Sequence, residues 1–188
     1  MGFGLAVRPE SVDAAGIRAI SSGDVGVFRR MNRVCRLLVR ADRLDAGRVA
    51  AFVEPALVAP DDAFAAVRRN DNLIGFVERD AGLQRFFGQG AGKSPTAFNV
   101  VMGLEDLLEN RAGALESLSG RAEVDNGGLA SRYYVRTAAR LDAEAETLCD
   151  LGGARAYLTA PLPVAKMHAL ARRLREADPG LFFAGLRG

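Results

Sequence analysis

The chain has 188 residues, 49% of them hydrophobic and 26% charged, enough for one ordinary domain or two small ones and too apolar for a disordered chain. Its 25 Lys+Arg against 23 Asp+Glu leave a net charge of +2, which is no footprint of a nucleic-acid binder. His168 is the one histidine, and Lys93 and Lys166 are the only lysines. A general base, a Schiff-base amine or an imidazole ligand therefore has very few sources. Cys35 and Cys149 lie far apart in apolar surroundings and are expected as buried thiols in a reducing compartment, with no Cys/His spacing suited to a metal. No run reaches membrane-spanning length, and "MGFGLAVRPESV" lacks a basic region followed by an apolar core. A soluble, cytoplasmic protein with no membrane partner is expected.

In chain order, Ile17 to Ile20 reads as a short strand, followed by a helix capped by Ser22 or Asp24 and running to about Arg33. Val34 to Arg43 alternates as a strand, and "GRVAAFVEPALV" as a second one broken at Pro55. "NLIGFVERD" and "LQRFFGQG" pair as a hairpin around Asp80, Ala81 and Gly82. Ser94 as N-cap and Pro95 at the first helical position open a helix with Ala97, Val100, Val101, Leu104, Leu107 and Leu108 on one inward face. Residues 111–131, rich in glycine and serine, read as a linker. A strand at "RYYVRTAA" follows, then a short helix from Asp142 to the stop at Gly152 and Gly153, and a strand at "ARAYLTA". An amphipathic helix with Val164, Met167, Leu170, Ala171 and Leu174 inward and a last strand, "LFFAGL", complete a β-α-β-α-β module. The expected fold class is α+β: an antiparallel or mixed sheet with flanking helices, then a small ferredoxin-like α/β module.

The stretch "RFFGQGAGKSPTAFNVV" ends a strand, turns through Gly88, Gly90, Ala91 and Gly92, and opens a helix. It contains GKS, the end of a phosphate-cradling P-loop, but that motif needs a glycine where Phe87 stands, and Pro95 removes a donor beside Ser94. A nucleotide-hydrolysing protein is therefore set aside. Small residues before a helix N-terminus admit the close approach of a ligand with negative charge, and they equally permit a tight strand-to-helix turn.

The order of landmarks settles which pattern this is. "GIRAI" precedes a helix, "CRLLVR" forms a strand, "VEPALVAP" follows, an asparagine precedes the next strand, and Gly88, Gly90, Ala91, Gly92, Pro95, Thr96 and Ala97 fall at the places of a Gly-x-Gly-Ala-Gly-x-x-Pro-Thr-Ala loop. Over residues 2–110 the chain resembles the later substrate domain of the homoserine dehydrogenase family. Residues 132–188 resemble a shortened ACT domain, the regulatory module of some members; "LDAEAE" replaces the usual turn before its first helix, and one strand is missing from the sequence reading.

The resemblance implies NAD(P)-dependent interconversion of aspartate semialdehyde and homoserine, in threonine and methionine biosynthesis. It also implies a cofactor-side role for Gly88, Gly90, Ala91, Gly92, Pro95 and Thr96. The chain has no glycine fingerprint opening a Rossmann βαβ unit. The family's acid–base lysine precedes the Gly-Phe-Gly segment, and neither Lys93 nor Lys166 matches it. His168 is expected at the surface. No catalytic or metal-binding residue is assigned, and the chain is expected neither to bind NAD(P) nor to turn over alone. The expected division is 1–110 as a partial substrate and dimerisation domain, 111–131 as linker and 132–188 as the ACT-like module. Three roles follow: the C-terminal half of such an enzyme, a subunit of a split dehydrogenase paired with a separate Rossmann-bearing chain, or a non-catalytic dimerising regulator. A homodimer is expected, without nucleic acid.

Overall fold

Strand β4 (Arg48–Val58) is buried along nearly its whole length, as a strand covered on both faces must be. In the computed structural model, which describes residues 3–109 and 120–187, the chain divides into two compact units, Met1–Pro60 with Leu118–Gly188, and Asp61–Ser117.

The first unit is built around β4. One edge carries β3 (Val34–Arg43), antiparallel and in register from Val34↔Val58 to Arg43↔Val49. The other edge is filled piecewise by β8 (Glu123–Val124), β2 (Asp13–Ala14) and β14 (Phe182–Leu186), all parallel to β4. Between β8 and β2 the edge is closed by a side chain. Asn126 accepts from Ala51 N–H at 2.9 Å and donates to Ala51 C=O at 3.0 Å, as a neighbouring strand would. Its backbone carbonyl also accepts from Ala165 in the first turn of helix α3 (Val164–Ala177).

Pro55 does not break β4, contrary to the sequence expectation. Val49, Val53 and Leu57 turn their carbonyls to the β14 edge. By the two-residue alternation of a strand, Pro55 also turns its missing N–H to that edge, away from β3. It falls between the residues paired with β2 and those paired with β14, where no strand needs a donor.

Beyond β14 the sheet continues antiparallel through β10 (Tyr133–Thr137), β12 (Arg155–Thr159) and β11 (Ala145–Asp150). The order β11-β12-β10-β14 with α3 (Val164–Ala177) on one face is ferredoxin-like. Alternation along β10 and β14 loads both faces. Tyr133, Val135 and Phe183 meet Met167, Leu170, Ala171 and Leu174 of α3. Tyr134, Phe182 and Ala184 meet Val27 and Phe28 of helix α1 (Ser22–Arg30). The inward face expected for α3 is the one observed.

Several local expectations change. Residues 17–20 form no strand. The cap of α1 is Ser21, and Asp24 at the third helical position completes a capping box. The helix expected from Asp142 is strand β11. Its Ala/Glu-rich sequence favours a helix locally, but pairing with β12 prevails, and Gly152 and Gly153, both at positive φ, turn the hairpin. The strand missing from the sequence reading and the helix it added are thus one segment. Within the expected linker, 120–131 holds β7 (Gly120–Arg121, paired with β1, Leu5–Ala6), β8, and β9 (Ala130–Ser131, paired with β13, Leu162–Pro163); residues 111–119 lie outside the described residues. The compact units cut the chain differently from the expected 1–110 and 132–188, because β14 is laddered onto β4. No described helix is long and apolar enough to cross a membrane.

Asp24 ties α1 to β10. Fully buried, it accepts from the Ser21 N–H and hydroxyl at 2.7 Å, from the Tyr134 hydroxyl at 2.7 Å and from Arg136 Nε at 2.9 Å, while Arg136 Nη2 donates to Ala19 C=O. Asp24→Ala leaves Tyr134 and a mostly buried guanidinium without their acceptor, and a loss of about 3–5 kcal/mol in urea-induced unfolding is expected. At the other end of β10, Asp178 accepts from the Thr137 hydroxyl, Ala138 N–H and Gly180 N–H. Partial burial pushes its carboxyl upward, but these bonds and Arg136 outweigh it and hold it below the ordinary 3.8. A depressed carboxyl stabilises the fold above its unfolded value and loses that contribution as pH falls through the folded one. The stability advantage of the natural chain over Asp178→Asn is therefore expected to shrink below about pH 4 in pH-dependent thermal melts and to be constant above it.

Candidate functional site

The second unit contains a hairpin, β5 (Asp71–Glu78) with β6 (Gly82–Gln89), and helix α2 (Lys93–Leu108). Gly82, at φ 67°, closes the turn where the sequence placed it. The register sets Asn72 opposite Gly88 and Asp71 opposite Gln89, so the chain leaves β6 beside the start of β5.

Two asparagines shape the glycine loop. The carbonyl of Asn70 accepts from Gly90 N–H at 2.8 Å and its side-chain amide donates to Ala91 C=O at 2.6 Å. The side-chain amide of Asn72 lies where a Cβ on residue 90 would stand, so any larger residue there would have to displace it. Gly92 has φ 127° and is the helix N-cap, its carbonyl accepting from Thr96 N–H at 3.0 Å. The expected cap, Ser94, is instead the second helical residue and Pro95 the third. Proline is accommodated there because the first-turn N–H groups have no acceptor inside the helix.

Each glycine thus has its own reason. Gly90 makes room for Asn72, and Gly92 adopts a backbone conformation that L side chains rarely take. At Gly88 an added Cβ would meet nothing within 4 Å, so its bare backbone faces open space. Gly88, Gly90, Ala91, Gly92 and Thr96 are exposed and Pro95 half-buried; the structure gathers all six into one strand-to-helix turn. Lys93 is the only titratable side chain from Gly88 to Ala97. The turn therefore offers bare backbone and a helix N-terminus with partial positive charge, an arrangement for holding a polar or anionic group rather than for moving protons. Sequence reasoning used the asparagine before β5 only as a landmark. Its structural role follows from the hairpin register, which local pattern does not give.

The face of α2 expected to point inward is exposed: Val100, Val101, Leu104, Leu107 and Leu108 are 54–87% accessible. On the hairpin, Ile74, Val77, Leu83, Phe86 and Phe87 are exposed too, and Phe76 and Phe86 stack at 5.4 Å.

The first unit holds a separate polar centre that sequence reasoning missed. His168, expected at the surface, is 3% exposed, and its Nε2 bonds Glu54 Oε2 at 2.9 Å. The signal was an acid inside the otherwise apolar run of β4. Cys35 and Cys149 are free and half-buried. Burial pushes the Cys35 thiol up to about 12, so it is no nucleophile at neutral pH. Among the described residues no group of three or more His, Cys, Asp or Glu is placed to hold a metal ion.

Comparison with known proteins identifies the family. The family model for homoserine dehydrogenase matches residues 1–107, more than half of the chain. Among curated relatives, the homoserine dehydrogenase of Bacillus subtilis is 30% identical over 110 residues, covering 58% of this chain and 25% of the relative. That of Synechocystis is 36% identical over 111 residues, with 57% and 26% covered. That of Mycobacterium tuberculosis is 34% identical over 142 residues, with 71% and 32% covered. Among solved structures, a homoserine dehydrogenase from Thiobacillus denitrificans superposes with a TM-score of 0.62 at 20% identity, covering 93% of this chain and 48% of that one. The S. aureus enzyme at pH 7.0 gives 0.63 at 17% identity, with 99% and 50% covered; at these identities the likeness is one of fold. The chain spans about half the length of these solved structures, and its matches span a quarter to a third of the curated relatives. By the extent of the family match, the chain belongs to the homoserine dehydrogenase family.

Proposed function

We propose that this chain is the substrate-side half of a homoserine dehydrogenase, acting with a cofactor-binding half either joined to it or supplied by a separate chain. The observation that carries the reading is the Gly88–Gly92 turn opening into a helix whose apolar face is uncovered. A two-stranded hairpin is marginal by itself, and apolar surface on this scale marks an interaction site.

In this reading the cofactor-binding half covers α2, and the open backbone at Gly88 lets the nicotinamide end of NAD(P) or the substrate come close. Gly90, Ala91, Gly92 and Pro95 hold the turn, and the Thr96 hydroxyl adds a hydrogen-bonding group in the first helical turn. NAD(P), when bound, supplies the hydride chemistry that interconverts aspartate semialdehyde and homoserine in the cytoplasm. The chain's own contribution is to position the reactants. In this reading the dinucleotide-binding fold belongs to the other half, and the chain is expected not to turn over without it. The apolar hairpin, with Phe76 and Phe86 stacked on one face, is the surface through which two copies associate.

Reduction of NAD(P)⁺ by homoserine is expected to stay at the blank level with the chain alone and to appear when a relative's cofactor-binding half is added. Gly88→Val, whose Cβ meets no atom within 4 Å, is expected to keep the melting temperature and to lower that restored rate by about 10²-fold. Turnover by the chain alone, or full activity in Gly88→Val, contradicts the reading. Light scattering is expected to give the mass of two chains; a monomer at high concentration contradicts the association.

A further inference from the structure

Glu54 is 5% exposed in the most buried strand of the first unit. A carboxylate taken from water needs partners for both oxygens. His168 Nε2 serves Oε2 at 2.9 Å; no described donor reaches Oε1. The surroundings leave that oxygen room. A Cβ on residue 185 would stand 2.6 Å from Oε1, and Gly185 keeps the space clear. A cavity of about 70 Å³ opens there, lined by Glu54 and Gly185 and by the apolar side chains of Leu38, Phe52, Val164 and Leu186. At roughly 15 Å³ for each water, it holds about five non-hydrogen atoms. Beside it, the Tyr133 hydroxyl is buried without any hydrogen-bond partner, and its ring lies against the same Gly185 position.

We infer that this cavity binds the ammonium group of a small organic amine. The ammonium N–H donates to Glu54 Oε1, and the carbon stem lies against Leu38, Phe52, Val164 and Leu186. His168 holds the other carboxylate oxygen and so orients Oε1 toward the cavity. A metal ion suits the site poorly, because the lining offers it one carboxylate and no cluster of further ligands. Arg40 and Arg187 also line the cavity; the half-exposed Arg40 is held by Asp42 at 2.6 Å. A ligand that also carries a carboxylate meets them at its other end. The inference uses only residues of the first unit and is independent of the glycine turn.

The test is calorimetric melting of the full chain at constant ionic strength with propylammonium chloride, with alanine, or with sodium chloride as reference. A saturable rise in melting temperature above the reference is expected with at least one of the two amines. A larger effect of alanine assigns the arginines to a carboxylate, and a larger effect of propylammonium assigns a simple amine. Glu54→Gln is expected to weaken the apparent affinity by about tenfold or more. Ala130→Phe, at an exposed position of the lining, is expected to abolish the rise while leaving the unliganded melt unchanged, and it decides the matter by itself if Glu54→Gln does not fold. No saturable rise with either amine, or a rise that persists unchanged in the folded variants, overturns the inference.

Discussion

The fold depends on one strand having enough partners. β4 runs eleven residues through the first unit, and every buried N–H and C=O along it must be paired. β3 satisfies one edge throughout. The other edge is assembled from three short strands and the side-chain amide of Asn126, with Pro55 placed where no donor is needed. Because those strands come from residues 13–14, 123–124 and 182–186, satisfying β4 brings the N-terminal and C-terminal stretches into one sheet. The ferredoxin-like strand order is consequently an extension of the sheet around β4. Its second face is covered by α1, locked by the buried Asp24 to Tyr134 and Arg136.

The second unit shows the opposite balance. Its local geometry is well specified, with Asn70 and Asn72 fixing the glycine turn and Gly82 the hairpin, but its large apolar side chains find little to cover them. A strand pair and a helix held by local hydrogen bonds gain little from burial. The open backbone at Gly88 lies in the strand that leads into α2. The chain spans about half the length of the solved structures it matches, and the apolar face of α2 is uncovered.

What the sequence made legible follows the range of the forces involved. α3 was readable because Val164, Met167, Leu170, Ala171 and Leu174 repeat at helical spacing and bury that face. The β5–β6 hairpin was readable from its turn, and the glycine turn from its order among other landmarks. β11 was not, because Ala and Glu favour a helix locally, whereas pairing with β12 across the Gly152–Gly153 turn makes the segment a strand. The α2 cap shifted from Ser94 to Gly92 because Asn70 and Asn72, some twenty residues earlier, set the turn. The Glu54–His168 pair joins residues 114 positions apart, and no local pattern reports such a contact. The α2 cap and the Glu54–His168 pair are fixed by partners outside the window in which propensity and periodicity act, and at β11 hairpin pairing overrides the local propensity.

The central proposal, that α2 awaits a covering half, is tested most directly by amide hydrogen exchange on the chain alone and after a relative's cofactor-binding half is added. The account predicts fast exchange over residues 93–108 in the free chain, slow exchange over β4 and β10 throughout, and new protection of 93–108 in the complex. Strong protection of 93–108 in the free chain, or an active complex that leaves those amides unchanged, would contradict it.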